Sequence, residues 1–254
     1  MKNFLKNIVL LRIIYAVYLA SMAYFKFKPF AFIRNLSLFF NDYSKIKKRQ
    51  NNNFKISNYK TFICLNDKTL LTEIEPIYFL QNNWASKKIF EIKPKELVDI
   101  GSSVNWLGII SQFVPVTFID IRPIDIKIKE ISFKEGSIIN LPFESGSIEC
   151  LSSLCVVEHI GLGRYGDSID SFGSEKAIHE LIRITRQNGD ILFSVPVDKE
   201  NIVYFNAHRA FTRNYIINLF TDCKLCEEKY IYGKQIEDNY KNEFGTGLFW
   251  FKKK

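Results

Sequence analysis

Two aspartates stand in short apolar runs: Asp99 in Leu97-Val98-Asp99-Ile100-Gly101-Ser102-Ser103, and Asp120 at the end of Val116-Thr117-Phe118-Ile119-Asp120. Such a run reads as a buried parallel strand. A glycine directly after it lets the chain turn sharply and bring backbone N–H groups close to a ligand. Ligands of open α/β sheets sit at the carboxyl ends of the strands, and Asp120 follows the glycine turn by about 20 residues, the separation of a ribose-binding carboxylate. The two acids together point to a nucleoside ligand. Gly101 is followed by Ser102-Ser103-Val104-Asn105-Trp106-Leu107-Gly108, so the second and third glycines of G-x-G-x-x-G are missing. That loss of close approach to a pyrophosphate disfavours an NAD-dependent oxidoreductase. The plain alternative for this stretch is a strand–turn–helix with capping serines.

A second group is Val157-Glu158-His159-Ile160-Gly161-Leu162-Gly163-Arg164-Tyr165-Gly166-Asp167. His159 titrates near neutrality and could take a proton from a hydroxyl; equally, a histidine hydrogen-bonded at a strand end would hold the loop and touch no substrate. The loop carrying Arg164, Tyr165 and Asp167 is longer than a plain strand–helix connection, which marks it for acceptor binding. In Phe205-Asn206-Ala207-His208-Arg209-Ala210-Phe211, His208 is a second candidate base. Arg209 either grips a carboxylate or phosphate of the acceptor in a bidentate fork, or pairs with Glu158 or Asp167 to brace the loop.

The elements that must position these groups follow from apolar periodicity. Thr72 to Phe90 is helical in spacing and precedes the first strand. Val104–Phe113 is expected to be the first sheet-covering helix, and Ile148–Val156 a strand running into the Glu158-His159 pair. Ser174–Thr185 reads as a helix ended by Gln187-Asn188-Gly189, Asp190–Val195 as a strand, and Thr212–Phe220 as a helix. Leu225–Tyr232 and Gly247–Lys252 have the composition of a closing antiparallel pair.

The chain has 254 residues, 47% hydrophobic and 15% aromatic, which excludes a disordered protein. Its net charge of +8 is concentrated toward the two ends, including Lys45, Lys47, Lys48, Arg49 and Lys252–Lys254. A basic amino-terminal arm fits an anionic membrane surface better than a nucleic-acid groove, so no nucleic-acid partner is expected. Ile8–Phe25 is apolar except for Arg12 and scattered small or tyrosyl residues. It reads as a monotopic helix on the inner leaflet, a marginal anchor, or a helix packed on the protein's own core. Lys45–Asn58 reads as a linker or exposed helix end. The expected organisation is an arm over 1–50, a linker and pre-sheet helix over 51–95, and the main domain over 96–254. Five cysteines without a secreted pattern imply reduced thiols in the cytoplasm. Cys223-x-x-Cys226 lies in a strand-like alternation that sends its members to opposite faces, so no metal is expected.

D-I-G-S-S followed by a strand ending in Asp120 resembles motifs I and II of the class I S-adenosylmethionine-dependent methyltransferases. Lys134 to Leu151 is similar to that family's pattern of a glycine and a short polar residue before L-P-F, then a turn and the fourth strand. The family's usual adenine-binding aspartate is Ser137 here. With V-V-E-H-I-G-L-G-R-Y-G-D and F-N-A-H-R, the chain also resembles an uncharacterised methyltransferase-like family known from nematodes and bacteria, whose bacterial members occur among surface-polysaccharide genes. The resemblance extends over about residues 70–250.

The resemblance implies a seven-stranded Rossmann-like α/β sheet with helices on both faces, here with an N-terminal helical extension. It implies S-adenosylmethionine as cofactor, with Asp99, Gly101 and Ser102 at the methionine part, Asp120 and Ile121 at the ribose, and Ser137 and Ile138 at the adenine. The Glu158-His159 pair would face the transferred methyl, Glu158 touching the cofactor. Tyr78 and Gln81 on the pre-strand helix become cofactor contacts. The implied reaction is methyl transfer to a small hydroxyl acceptor, a sugar or glycolipid of a surface polysaccharide, with the arm at the inner face of a membrane. The alternative is a catalytically inactive scaffold of the same fold, favoured by Ser137 and the absent glycines.

Overall fold

The computed structural model describes residues 29–49, 54 and 61–254. The segment 8–25, expected to meet a membrane, lies outside the described residues. The chain divides into Met1–Glu73 and Ile74–Lys254, each described by itself.

In the first unit, helix α1 spans Pro29–Lys48. Lys45, Lys47 and Lys48 occupy its last turn, where the negative end of the helix dipole favours cations, so the polar stretch that begins at Lys45 starts as a helix end. Phe30, Ile33, Phe40 and Ile46 are exposed along it. Among the described residues, no helix is long and apolar enough to cross a membrane.

The second unit opens with helix α2, Pro76–Ile92. A proline forces the residue before it out of the helical region, so the helix starts here rather than at Thr72. Glu75, in extended conformation, caps it by accepting from the N–H groups of Ile77 and Tyr78. The remaining elements are β1 (Leu97–Ile100), α3 (Val104–Ile110), β2 (Val116–Asp120), β3 (Ile131–Glu135), β4 (Ile148–Leu154), a single 3₁₀ turn (Val157–His159), α4 (Gly173–Ile184) and β5 (Thr185–Val197). They are followed by β6 (Ile202–Tyr204), β7 (His208–Ala210), α5 (Arg213–Leu219), β8 (Cys223–Tyr232), β9 (Gln235–Glu237) and β10 (Gly245–Lys253).

The central sheet has the order β3-β2-β1-β4-β5-β10-β8-β9, with β10 antiparallel to both of its neighbours. It contains eight strands instead of the expected seven. Gly233, at φ +62°, turns β8 back, and the short β9 pairs with Tyr230–Tyr232 as an added edge. The Asn188-Gly189 turn also differs from expectation. The helix stops at Ile184, and β5 begins at Thr185 and passes through Asn188 at φ +59°. The pair therefore forms an irregularity against β4, where the register shifts between Ile148 and Cys150, and not a helix cap. On β8, Cys223 is buried and Cys226 exposed.

Side chains alternate between two cores, as strand geometry requires. Val98, Ile100, Leu151, Phe193 and Val195 pack with Ala177, Ile178 and Leu181 of α4 on one face. Leu97, Phe118 and Leu192 pack with Trp84, Trp106 and Leu107 on the other. Helix α2 is fixed to the sheet by Glu227 of β8, which accepts from the Trp84 indole at 2.8 Å and from Lys88 at 2.7 Å. Strands β1 to β5 run parallel, and β1 lies between β2 and β4. Chain order reverses across β1, and the carboxyl ends beside such a switch point open a crevice.

Candidate active site

The crevice is a cavity of about 1050 Å³ at the tips of β1, β2, β3 and β4, closed on one side by Tyr78 and Asn82 of α2. Its volume is at the upper end of the usual range for small-molecule sites, about 300–1,000 Å³.

At the β1 tip, Gly101 has φ +73°, and a Cβ there would meet Val156 Cγ1 at 2.8 Å. Glycine makes this turn without strain and without pressing on Val156, which lines the cavity. Asp99 does not line the cavity. It is fully buried, with its carboxylate accepting from the Ser102 N–H at 3.0 Å and from the Ser152 hydroxyl on β4. Burial pushes its pKa up to about 6, against the pull of those two bonds, with the Asp120 charge adding to the rise. Its place is beneath the turn: it holds Ser102, whose hydroxyl oxygen accepts from Leu154 N–H at 3.0 Å and which itself lines the cavity.

At the β2 tip, Asp120 and Ile121 both line the cavity. One oxygen of Asp120 accepts from the Arg122 N–H at 2.8 Å. Gly136, Ser137, Ile138 and Ile139 form the adjoining wall beyond β3. The Leu141-Pro142-Phe143 loop that follows is pinned to α4: Glu180 accepts from Leu141 N–H at 2.9 Å, and Arg183 donates to the carbonyls of Leu141 and Phe143. This explains the motif physically, since it seats the wall carrying Ser137.

At the β4 tip, Cys155 adopts φ +55°, a conformation rare outside glycine and asparagine. Its thiol lies 3.0 Å from Gln81 Oε1, and burial followed by the nearby Glu158 carboxyl pushes its pKa well up, so it stays a thiol. Gln81 is fully buried, bonded to Cys155 and Ser194, and does not reach the cavity. Asn82, one residue on, lines it instead.

His159 lines the cavity, with Nδ1 2.7 Å from the Ala207 carbonyl. Glu158 is buried behind it and does not line the cavity, its Oε1 lying 3.7 Å from His159 Nε2. Burial pushes Glu158 up to about 8, and it pushes His159 down to about 4 despite the Ala207 bond. At neutral pH both are uncharged, and the contact is not an ion pair.

The loop after His159 divides its expected residues. Tyr165 and Asp167 line the cavity. The Asp167 carboxylate is turned inward, accepting from the N–H groups of Gly161 at 2.6 Å, Tyr165 at 3.3 Å and Gly163 at 3.4 Å. Burial works against its ionisation, but those bonds outweigh it and hold the pKa below the ordinary carboxylate range. Arg164, expected to bind the acceptor, is exposed and is not part of the cavity lining; it donates to the Ala207 carbonyl at 2.9 Å. Arg209 is buried and does not meet the cavity. It donates to the carbonyls of Ile160 and Asp170 and to Ser174 Oγ, so it braces the loop through backbone oxygens and not through Glu158 or Asp167. His208 likewise stands outside the cavity, its ring packed on Tyr204 at 5.1 Å and Phe244 at 5.8 Å.

Asn82, Asn105, Arg122, Cys155 and Asp170 also line the cavity, beyond the residues expected from the motifs. Only Arg122 carries a signal in sequence, standing two residues beyond a strand-ending acid. Its guanidinium lies 4.7 Å from the centre of the Tyr165 ring.

The family model described as "Caenorhabditis protein of unknown function, DUF268" matches residues 121–227, less than half of the chain. No curated protein matches. Among solved structures, the fold is similar to the Burkholderia thailandensis 1,6-didemethyltoxoflavin-N1-methyltransferase with bound S-adenosylhomocysteine (13% identity, 68% of this chain and 78% of that chain, TM-score 0.51). It is also similar to YcgJ from Bacillus subtilis (12% identity, 69% and 99%, TM-score 0.50) and to the (4+2)-cyclase SpnF (9% identity, 66% and 81%, TM-score 0.50). At these identities the likeness is one of fold, the Rossmann-like sheet of the class I methyltransferases.

Proposed function

We propose that the protein transfers a methyl group from S-adenosylmethionine to a small hydroxyl acceptor, a sugar or glycolipid of a surface polysaccharide. The observation that carries this reading is the convergence of the Gly101 turn, Asp120 and His159 on one cavity at the switch point of the sheet. The residues fit the cofactor. Gly101 keeps a cradle that a Cβ would obstruct, and only one Asp120 oxygen is taken by a backbone N–H, leaving the other for a ribose hydroxyl. Ile121 and Ile138 supply apolar contact for a flat base, and Ser137 supplies one neutral acceptor for an amino group.

When bound, S-adenosylmethionine supplies a methyl group activated by a positively charged sulfur. This chain's residues orient the acceptor and receive its proton. The Ala207 carbonyl holds the His159 proton on Nδ1, which leaves Nε2 as the basic atom. A group held near pKa 4 is a weak base, but an oxygen that gains a methyl becomes strongly acidic and needs no stronger one. Asp167 and Arg209 fix the loop that carries Tyr165 over the acceptor side.

A place at an anionic membrane surface is part of the proposal. It is supported by the exposed Phe30, Ile33 and Phe40 of α1, together with the basic residues of its last turn. Binding of S-adenosylhomocysteine, followed by transfer of labelled methyl from S-adenosylmethionine to extracted sugars and glycolipids, tests the whole. Absence of binding overturns the cofactor reading. Binding without transfer favours the inactive scaffold, to which Ser137 already inclines, or another reaction, as the shared fold of SpnF allows.

A further inference from the structure

We propose that the acceptor carries a phosphate group, held by Arg122 and Arg164, whose guanidinium groups both approach the Tyr165 ring. The inference rests on the methyltransferase reading for its place in the reaction, although the anion site is testable alone.

Arg122, beyond β2, and Arg164, in the loop after β4, belong to segments 42 residues apart in sequence and pack on one ring, at 4.7 Å and 5.1 Å from its centre. Neither guanidinium is used up by the protein. Arg122 Nε meets Asp120 at 3.5 Å, and its two terminal nitrogens have no protein hydrogen bond among the described residues. Arg164 gives one terminal nitrogen to the Ala207 carbonyl, the same nitrogen lying 3.5 Å from His159 Nδ1, and has no carboxylate within 4.0 Å among the described residues. The π face of Tyr165 attracts both cations, and their unused N–H groups remain for an anion.

The nearby acids leave donors of both arginines unpaired. Asp120 meets only Nε of Arg122, Asp167 is turned to three backbone N–H groups, and Glu158 is buried away from the cavity. A terminal nitrogen of Arg164 lies 3.5 Å from His159 Nδ1, so its charge is felt beside the imidazole that lines the cavity. A carboxylate satisfies one fork, whereas a phosphate has three terminal oxygens and can take both. The same His159 contacts Tyr165 edge-on at 5.4 Å, which sets the anion site one ring away from the reacting end.

The test titrates the full chain by calorimetry with glycerol 3-phosphate and, separately, with monomeric dihexanoyl phosphatidic acid, each with and without S-adenosylhomocysteine. Saturable binding by either probe is expected to fall by about tenfold or more in Arg122→Gln and in Arg164→Gln, and to be unchanged in Arg186→Gln, whose partner is Glu149 on the β4 strand. Preference for the lipid probe assigns the phosphate to a lipid headgroup, and equal binding assigns it to a free phosphate ester. No saturable binding of either probe, or equal losses in Arg186→Gln, overturns the inference. Failure of S-adenosylhomocysteine to bind, with the phosphate response intact, leaves the anion site standing and removes the methyltransferase reading instead.

Discussion

His159 Nδ1 lies 2.7 Å from the carbonyl oxygen of Ala207, a bond that ties the turn after β4 to the hairpin of β6 and β7. Because a carbonyl only accepts, the bond settles which ring nitrogen holds the proton. Asn206, at φ +58°, turns the hairpin so that this carbonyl points at the histidine. The second polar constellation in the sequence, around His208 and Arg209, thus serves the first by positioning it.

His159→Gln is expected to lower methyl transfer by about 10²–10⁴-fold while leaving S-adenosylhomocysteine affinity within about twofold, the signature of a lost proton acceptor. Burial holds the wild-type imidazole near pKa 4, so His159 puts no acid limb on the rate between about pH 5.5 and 8. Steady-state rates across that range check both points. An unchanged turnover in the variant would leave His159 as a brace for the loop.

Asp120→Ala is expected to weaken S-adenosylhomocysteine about 10- to 100-fold, the usual loss when a charged hydrogen-bond partner of a ligand is removed. The fold should survive, because the side chain stands at a strand tip and its one backbone bond, to Arg122, lies at the surface. Calorimetry with thermal melting separates the two effects, and equal affinity in the variant would remove the ribose assignment.

Asp99→Ala is expected to cost about 1–3 kcal/mol of stability, because it leaves the buried Ser102 N–H and Ser152 hydroxyl without their acceptor. Asp99→Asn should recover most of that loss, since one amide oxygen keeps the Ser102 bond and the Ser152 hydroxyl can turn to accept. S-adenosylhomocysteine affinity should follow stability through the pair. Loss of affinity at full stability in urea unfolding would place Asp99 against the ligand instead.

The sheet and the Asp120–Gly101 relationship were legible because they depend on apolar runs and a glycine within one short span. What Asp99 does was not legible, since the atom it meets belongs to Ser152, 53 residues on, and a strand sequence does not say which neighbour its polar side chain faces. Arg209 shows the same limit. Its type predicts a carboxylate partner, but a buried guanidinium with five donors is satisfied equally by carbonyls, and the fold brings those of Ile160 and Asp170 to it. β9 was missed because three residues after a glycine turn carry no periodicity, and Arg122 because a ring 43 residues away gives it its meaning.

Glu158→Gln is expected to stabilise the protein increasingly as pH rises from 5 to 8. Burial raises the folded-state pKa of Glu158 from 4.5 to about 8, so across that window the folded chain keeps a proton that the unfolded chain has released. Stability therefore falls with rising pH, by up to about 1.4 kcal/mol per unit, levelling off above the folded pKa; glutamine, which never ionises, does not incur this cost. His159 acts in the opposite sense: its depressed pKa makes stability rise with pH between about 4 and its ordinary 6.5, and that contribution is common to both proteins. The difference in urea unfolding free energy between variant and wild type, measured at pH 5, 6, 7 and 8, therefore isolates the glutamate. A difference that stays flat would mean that Glu158 is ionised in the folded state, and the contact with His159 would then have to be read as an ion pair.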